Sequence, residues 1–284
     1  MKKYFLALPL MVFIFTACNI VQSYNESHPI PILMFHIVSD DTSLDPDMAV
    51  TPAQFRDFLT SMTSAGFNPI SFYELENYVT GMADLPENPF VVTFDDGYLC
   101  NFEIAFPILQ ELKMPAVINV IGGRRGANTY QGNPSIEHFT WSDALIMLQS
   151  GLIEIGNHTY AMHGSPGVTR GRVGFVPMYG EAIEDFKSAV IYDIELFAWE
   201  YYALQGNLPR IFAYPFGWRD EIAESLLVDN GYTITLLTGD AVSLVSRYDH
   251  ASLHGLYRIN VSSNLTSDDL IWLVRHLSQQ ALID

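Results

Sequence analysis

At 284 residues, with 49% apolar and 13% aromatic residues, the chain is long enough for one large α/β barrel or two modest domains, and too apolar for global disorder. Its 32 acidic against 14 basic residues leave a net charge of −18, which argues against nucleic acid or anionic lipid as partner, since either requires a cationic footprint. A neutral or cationic ligand suits that balance better, although an acidic solvated surface explains it equally well.

Lys2 and Lys3 precede the unbroken apolar run Tyr4–Phe15. The run is short for a stable membrane span and fits a secretory signal. It closes on Phe15-Thr-Ala-Cys18, which resembles the bacterial lipobox, with Phe15 where leucine is usual. The expectation is a signal over residues 1–17, a linker over 18–28 from a lipidated Cys18, and a single domain over 29–284. An exported, membrane-anchored envelope protein follows, touching the membrane through its lipid only; an ordinary cleaved signal is the alternative. The second cysteine, Cys100, then has no intrachain partner and reads as a small core residue.

Beyond the linker, the apolar run 31–38 is bounded by proline and the acidic turn Ser39-Asp-Asp41, and reads as a buried strand. Thr51 is an N-cap with Pro52 at the first helical position, opening a helix that Gly66 stops. Helices are expected near 72–80, 102–112, 141–149, 182–205, 221–230 and 268–277, and strands near 90–94, 116–121, 152–155, 211–214, 233–237 and 256–261. Strands alternating with helices imply parallel βα units, and this many imply a barrel. Gly164–Gly180, rich in glycine, is a long loop that could shape a groove or be an incidental insertion.

Strand 90–94 ends in Asp95-Asp96-Gly97. Adjacent carboxylates on an extended chain point opposite ways, but at the last residue of a strand both can reach the barrel mouth. One can bind a metal while the other takes a proton from water. Strand 152–155 is followed, after Gly156 and Asn157, by His158-Thr-Tyr-Ala-Met-His163. Neither a helix nor a strand brings histidines five apart together, so this segment must curl as a loop, which Gly156 and Asn157 permit. Two histidines and a carboxylate make a shell for a divalent hydrolytic ion with an open position.

Leu33-Met-Phe-His36, Thr93-Phe-Asp-Asp-Gly97, His158-Thr-Tyr-Ala-Met-His163 and Tyr214-Pro-Phe-Gly217, in that order, resemble the polysaccharide deacetylases of carbohydrate esterase family 4, the NodB-homology domain. The resemblance implies a distorted (β/α) barrel of about seven strands and hydrolysis of N-acetyl groups from amino-sugar polymers. It makes Asp95 the general base, Asp96, His158 and His163 the metal ligands, and zinc the expected ion. The oxyanion would meet a backbone N–H after Pro215, that of Phe216, with Tyr214 and Trp218 completing the substrate side; Trp141 is a lesser stacking candidate. The five-residue histidine spacing is similar to the branch acting on poly-N-acetylglucosamine.

Two features depart from the family. Phe212 stands where an arginine is usual, with Arg210 nearby, and the late leucine-x-histidine motif is replaced by Leu256-Tyr-Arg-Ile259. His36 is the expected general acid and His254 its rival. The same site could serve an O-acetyl glycan esterase, and the missing arginine and displaced acid leave room for a noncatalytic glycan-binding lipoprotein.

Overall fold

The computed structural model describes residues 26–129, 136–164 and 172–283. The expected signal and Cys18 therefore lie outside the described residues, as do residues 165–171 of the glycine-rich loop. Among the described residues, seven parallel strands build the central sheet: β1 (Ile32–Phe35), β2 (Pro89–Phe94), β3 (Ala116–Val120), β4 (Ile153–Asn157), β5 (Ile211–Ala213), β6 (Ile234–Leu236) and β7 (Ile259–Asn260). Their spatial order is β6-β5-β4-β3-β2-β1-β7, and the short strand Asn68–Pro69 adds to the start of β2. The two edges touch through one parallel bridge, Leu236 to Leu256. The sheet is thus curled into a distorted barrel, as the sequence led us to expect.

Helices α1 (Pro52–Ser64), α2 (Phe72–Val79), α3 (Phe106–Leu112), α4 (Trp141–Gln149), α5 (Ile183–Gln205), α6 (Glu221–Asp229) and α7 (Ser267–Ala281) connect and flank the strands. Four of them begin with reciprocal capping boxes, Thr51 with Gln54, Ser71 with Glu74, Thr140 with Asp143 and Thr266 with Asp269. Each box satisfies two backbone donors that the first turn leaves unpaired. The helix expected from residue 102 instead begins as a π-helical turn over Asn101–Ala105. Pro107 at the head of α3 has no N–H to offer, so the backbone ladder widens before it. Among the described residues no helix is long and apolar enough to cross a membrane.

The expected linker gives way to structure sooner than the sequence suggested. Ser27–Ile30 pairs antiparallel with Ser243–Ser246, and the Tyr78 hydroxyl donates to the Glu26 carbonyl at 2.7 Å. Ile37–Val38, the end of the run expected as a strand, pairs separately with Ala49–Val50, and Asn128–Thr129 with Ile136–Glu137 form a further short pairing where no strand was expected. Runs of two residues carry no readable period.

Alternation along the strands divides the core. Phe90, Val92 and Phe94 face the outer helices together with Leu33, Phe35 and Ile118. Val91 clusters with Ile32, Val117, Ile211 and Ile234, and with Phe72, Leu75 and Tyr78 of α2. Following β2 upward on that inner face, Val91 is succeeded by Thr93 and then Asp95. The barrel axis therefore turns from apolar to polar toward the C-terminal strand ends.

Gly156 lies inside β4 rather than in the loop after it, because there is no room for a side chain. A Cβ there would sit 2.1 Å from Asn119 Oδ1 and 3.1 Å from Ile211 Cγ2. Gly156→Ala should cost on the order of 1–3 kcal/mol in urea unfolding. A loss below about 0.5 kcal/mol would contradict this packing.

Candidate metal and catalytic site

Asp95 closes β2, its N–H donating to the Phe35 carbonyl at 3.0 Å. Asp96 then adopts φ +70°, a left-handed conformation that aspartate tolerates better than most residues. That single turn swings the second carboxylate to the side of the first. The Asp96 carbonyl is held by His138 Nδ1 at 3.0 Å, and its carboxylate by the buried Tyr98 phenol.

The histidine segment curls as its spacing requires. The His158 N–H prolongs the ladder to the Val120 carbonyl at 2.9 Å, and Thr159 turns the chain at φ +68°. Gly122 and Gly123 then donate to the carbonyls of Thr159 and Tyr160 at 3.0 and 2.8 Å. Arg124 donates to the His163 carbonyl at 2.6 Å. The two imidazoles end with ring centroids 4.8 Å apart.

His158 Nδ1 lies 2.8 Å from the Ala213 carbonyl, which can only accept, so Nδ1 carries the proton. In the neutral ring the Nε2 lone pair is then bare, and it points at Asp96 Oδ1 from 3.7 Å. His163 Nε2 approaches the same oxygen at 3.5 Å, and burial holds its pKa down to about 4. Asp96 Oδ1 is buried with no hydrogen-bond partner. Acceptors converging on a buried acceptor repel unless a cation lies between them. One ligand atom from each of Asp96, His158 and His163 fits within 4.8 Å, so the donor set suits a divalent ion.

Asp95 is occupied differently. Both its oxygens accept from Arg258, at 2.6 and 2.6 Å, and Oδ1 accepts from Asn119 Nδ2 at 2.8 Å. Arg258 is fully buried, and its Nε donates to the Leu237 carbonyl at 2.9 Å. Burial works to raise the pKa of Asp95, yet the Arg258 guanidinium holds it far below the usual carboxylate range. The guanidinium that seemed missing beside Pro215 therefore arrives from the segment Leu256-Tyr-Arg-Ile259. Arg210 takes no part, since it pairs with Glu76 and Glu154 at the start of the strands. A charged residue within an apolar strand was the available signal, because an arginine buried there must have a carboxylate partner.

His36 is half-buried with an unpartnered Nδ1, and it feels the charges of Asp95, Asp96 and Arg258. Burial lowers its pKa, against the pull of the two carboxylates. His254 sits elsewhere, 3.8 Å from Glu224. Phe216 lies at φ +59° after Pro215 and places its ring 4.8 Å from that of His163 and 5.2 Å from that of Trp218. Trp218 is 45% exposed at this rim. Tyr214 departs from the expectation: it is fully buried and its hydroxyl donates to Glu224 at 2.7 Å, so only its backbone faces the loop. Trp141 donates to Glu200 at 2.7 Å and packs edge-on against Phe197, and the half-buried Cys100 thiol is pushed up to about 11 by burial. Neither is a reactive group here.

The family model for polysaccharide deacetylase matches residues 83–235, more than half of the chain, and the chain belongs to that family. A poly-beta-1,6-N-acetyl-D-glucosamine N-deacetylase of Escherichia coli (strain K12) is 25% identical over 237 residues, covering 76% of this chain and 35% of that protein. The chain thus spans about a third of the length of that relative. Among solved structures, IcaB from Ammonifex degensii superposes with a TM-score of 0.72 at 24% identity, covering 87% of this chain and 97% of that one. A de-N-acetylase from Aggregatibacter actinomycetemcomitans gives 0.74 at 21% identity, covering 86% and 99%. These structures share the fold.

Replacing Arg258 by methionine leaves Asp95 buried without its partner and should cost about 3–5 kcal/mol at pH 7. The sign with pH follows from Asp95. With arginine present its folded pKa is depressed, so the pair stabilises above the unfolded value of about 3.9 and loses that as pH falls through the folded value. In Arg258→Met burial is no longer opposed by the guanidinium and raises the pKa, so the penalty eases once the carboxyl protonates. Urea titrations should show the gap to wild type narrowing from pH 7 toward pH 4; a constant gap would refute it.

Proposed function

We propose that the protein is a zinc-dependent polysaccharide N-deacetylase of the cell envelope, acting on an N-acetylated amino-sugar polymer such as poly-N-acetylglucosamine. The observation that carries the reading is the buried, arginine-paired Asp95 standing beside the three-donor set of Asp96, His158 and His163. Pure binding or a structural metal has no use for the first carboxylate. Arg258 on Asp95 supplies the guanidinium whose apparent absence was one of the two reasons for a noncatalytic glycan-binding reading.

Asp96, His158 and His163 would hold the ion, which when bound would supply Lewis acidity toward a water and the acetamide carbonyl. Asp95, kept ionised by Arg258, accepts the proton of the attacking water. Asn119 and Arg258 occupy its other lone pairs, so the carboxylate cannot turn away. The Phe216 N–H, presented by the left-handed turn after Pro215, meets the developing oxyanion. His36, whose pKa burial lowers against the pull of Asp95 and Asp96, protonates the leaving amine. Trp218 offers an exposed face on which a sugar ring can stack. The lysine-flanked apolar segment and Cys18 support export and a lipid anchor.

The test strips the protein of metal, reloads it with zinc and follows acetate release from N-acetylglucosamine oligomers. Zinc should restore turnover and Asp95→Asn should lower it about 10²–10⁴-fold. Acetate release that survives chelation would sink the reading, while turnover only on O-acetylated oligosaccharides would identify an esterase instead. In the same assay His36→Ala should fall by a similar factor with zinc affinity unchanged, and His254→Ala should stay within about threefold of wild type. The reverse order would exchange the two roles.

A further inference from the structure

The segment carrying both histidines is braced from outside the barrel by the longest helix. Asp193 and Glu200 lie seven apart on α5, and therefore on one face. Asp193 is 3% exposed, and its two oxygens accept from consecutive backbone groups of the histidine segment, Tyr160 N–H at 2.7 Å and Ala161 N–H at 2.8 Å. The Tyr160 hydroxyl then donates to Glu200 Oε1 at 3.1 Å, and Glu200 is itself fixed by Arg125 at 2.5 Å and Trp141 at 2.7 Å. Tyr160 is thus clamped at both ends against α5.

We propose that Asp193 is a positioning residue for His158 and His163, fixing the curl that lets their imidazoles converge on Asp96. The inference rests on the metal-site reading above and goes beyond it. Histidines five apart meet only in an irregular turn, and an irregular turn does not satisfy its own N–H groups. A carboxylate accepts on both oxygens, so it orients two successive peptide planes between the histidines at once. Its burial pushes its pKa up to about 6, against the backbone N–H groups of the segment and the Arg172 charge, which favour the ionised form. A neutral amide can accept on one side only and turns an N–H₂ toward the other donor.

The experiment uses the full chain and its Asp193→Asn and Asp193→Ala variants, with zinc affinity measured by dye competition well below each variant's Tm. Removing such an outer support typically weakens metal binding about 10–100-fold. We expect that loss in both variants, and a fall in kcat for acetate release larger than any change in KM. Folded variants that bind zinc within about twofold of wild type would overturn the proposal, as would failure of both to fold, which would make Asp193 a folding residue. Wild type that binds zinc but releases no acetate would fail the deacetylase reading and leave this inference to be judged on affinity. Wild type that takes up no zinc would end the metal reading, and this inference with it.

Discussion

The buried pair of Asp95 and Arg258 ties the fold to the site. One partner ends the second strand of the barrel and the other stands 163 positions later, in the segment that meets the sheet's far edge. Arg258 also grips the Leu237 carbonyl of the neighbouring edge, beside the single bridge from Leu236 to Leu256. Closure of the sheet and assembly of the Asp95 site are therefore one event. A barrel that failed to close would leave two buried charges without partners, each costing several kcal/mol in effective desolvation. The polar upper half of the axis thus enforces the register that its apolar lower half merely permits.

Adjacent carboxylates have acquired unlike surroundings over one peptide bond. Asp95 keeps the strand direction and meets an arginine and an amide. Asp96, turned by a positive φ, meets two imidazoles and retains a bare oxygen. Strain of that kind persists only where the surroundings over-determine it, and here Tyr98 and His138 supply the constraint. A carboxylate held as low as Asp95 is a poor proton acceptor toward ordinary water. Its usefulness depends on the acidity of the water delivered beside it, which makes the neighbouring donor set part of its chemistry.

Much of this was legible in the sequence where the determinants are local. The capped helix start at Thr51, the apolar strand into Asp95-Asp96 and the curl demanded by His158 and His163 each depend on a few consecutive residues. What escaped depends on distance in sequence. Arg258, Asn119 and Asp193 each reach the site from another element, and although an arginine in an apolar strand signals some carboxylate partner, nothing beside these residues says which. Gly156 was misplaced because its reason for being glycine is the Asn119 side chain on the next strand. Tyr214 was credited with a substrate role because its motif is local, while the Glu224 carboxylate that claims its hydroxyl sits on α6. The arginine absent before Pro215 was looked for at a fixed offset, although a barrel axis can be reached from any of its strands.

The charge balance explains why a distant arginine can serve there. With both imidazoles neutral, Asp95, Asp96 and Arg258 sum to one negative charge inside the barrel mouth. Without the arginine the sum is two, and each carboxylate raises the pKa of the other, which favours a proton shared between them. A shared proton would abolish the distinction between a carboxylate that accepts protons and one that binds cations. Arg258 prevents it by pairing with Asp95 alone, with geometry specific enough to leave Asp96 Oδ1 bare. What the site requires is a fixed positive charge on one side of the pair. The strand that provides it is secondary, provided that strand reaches the axis.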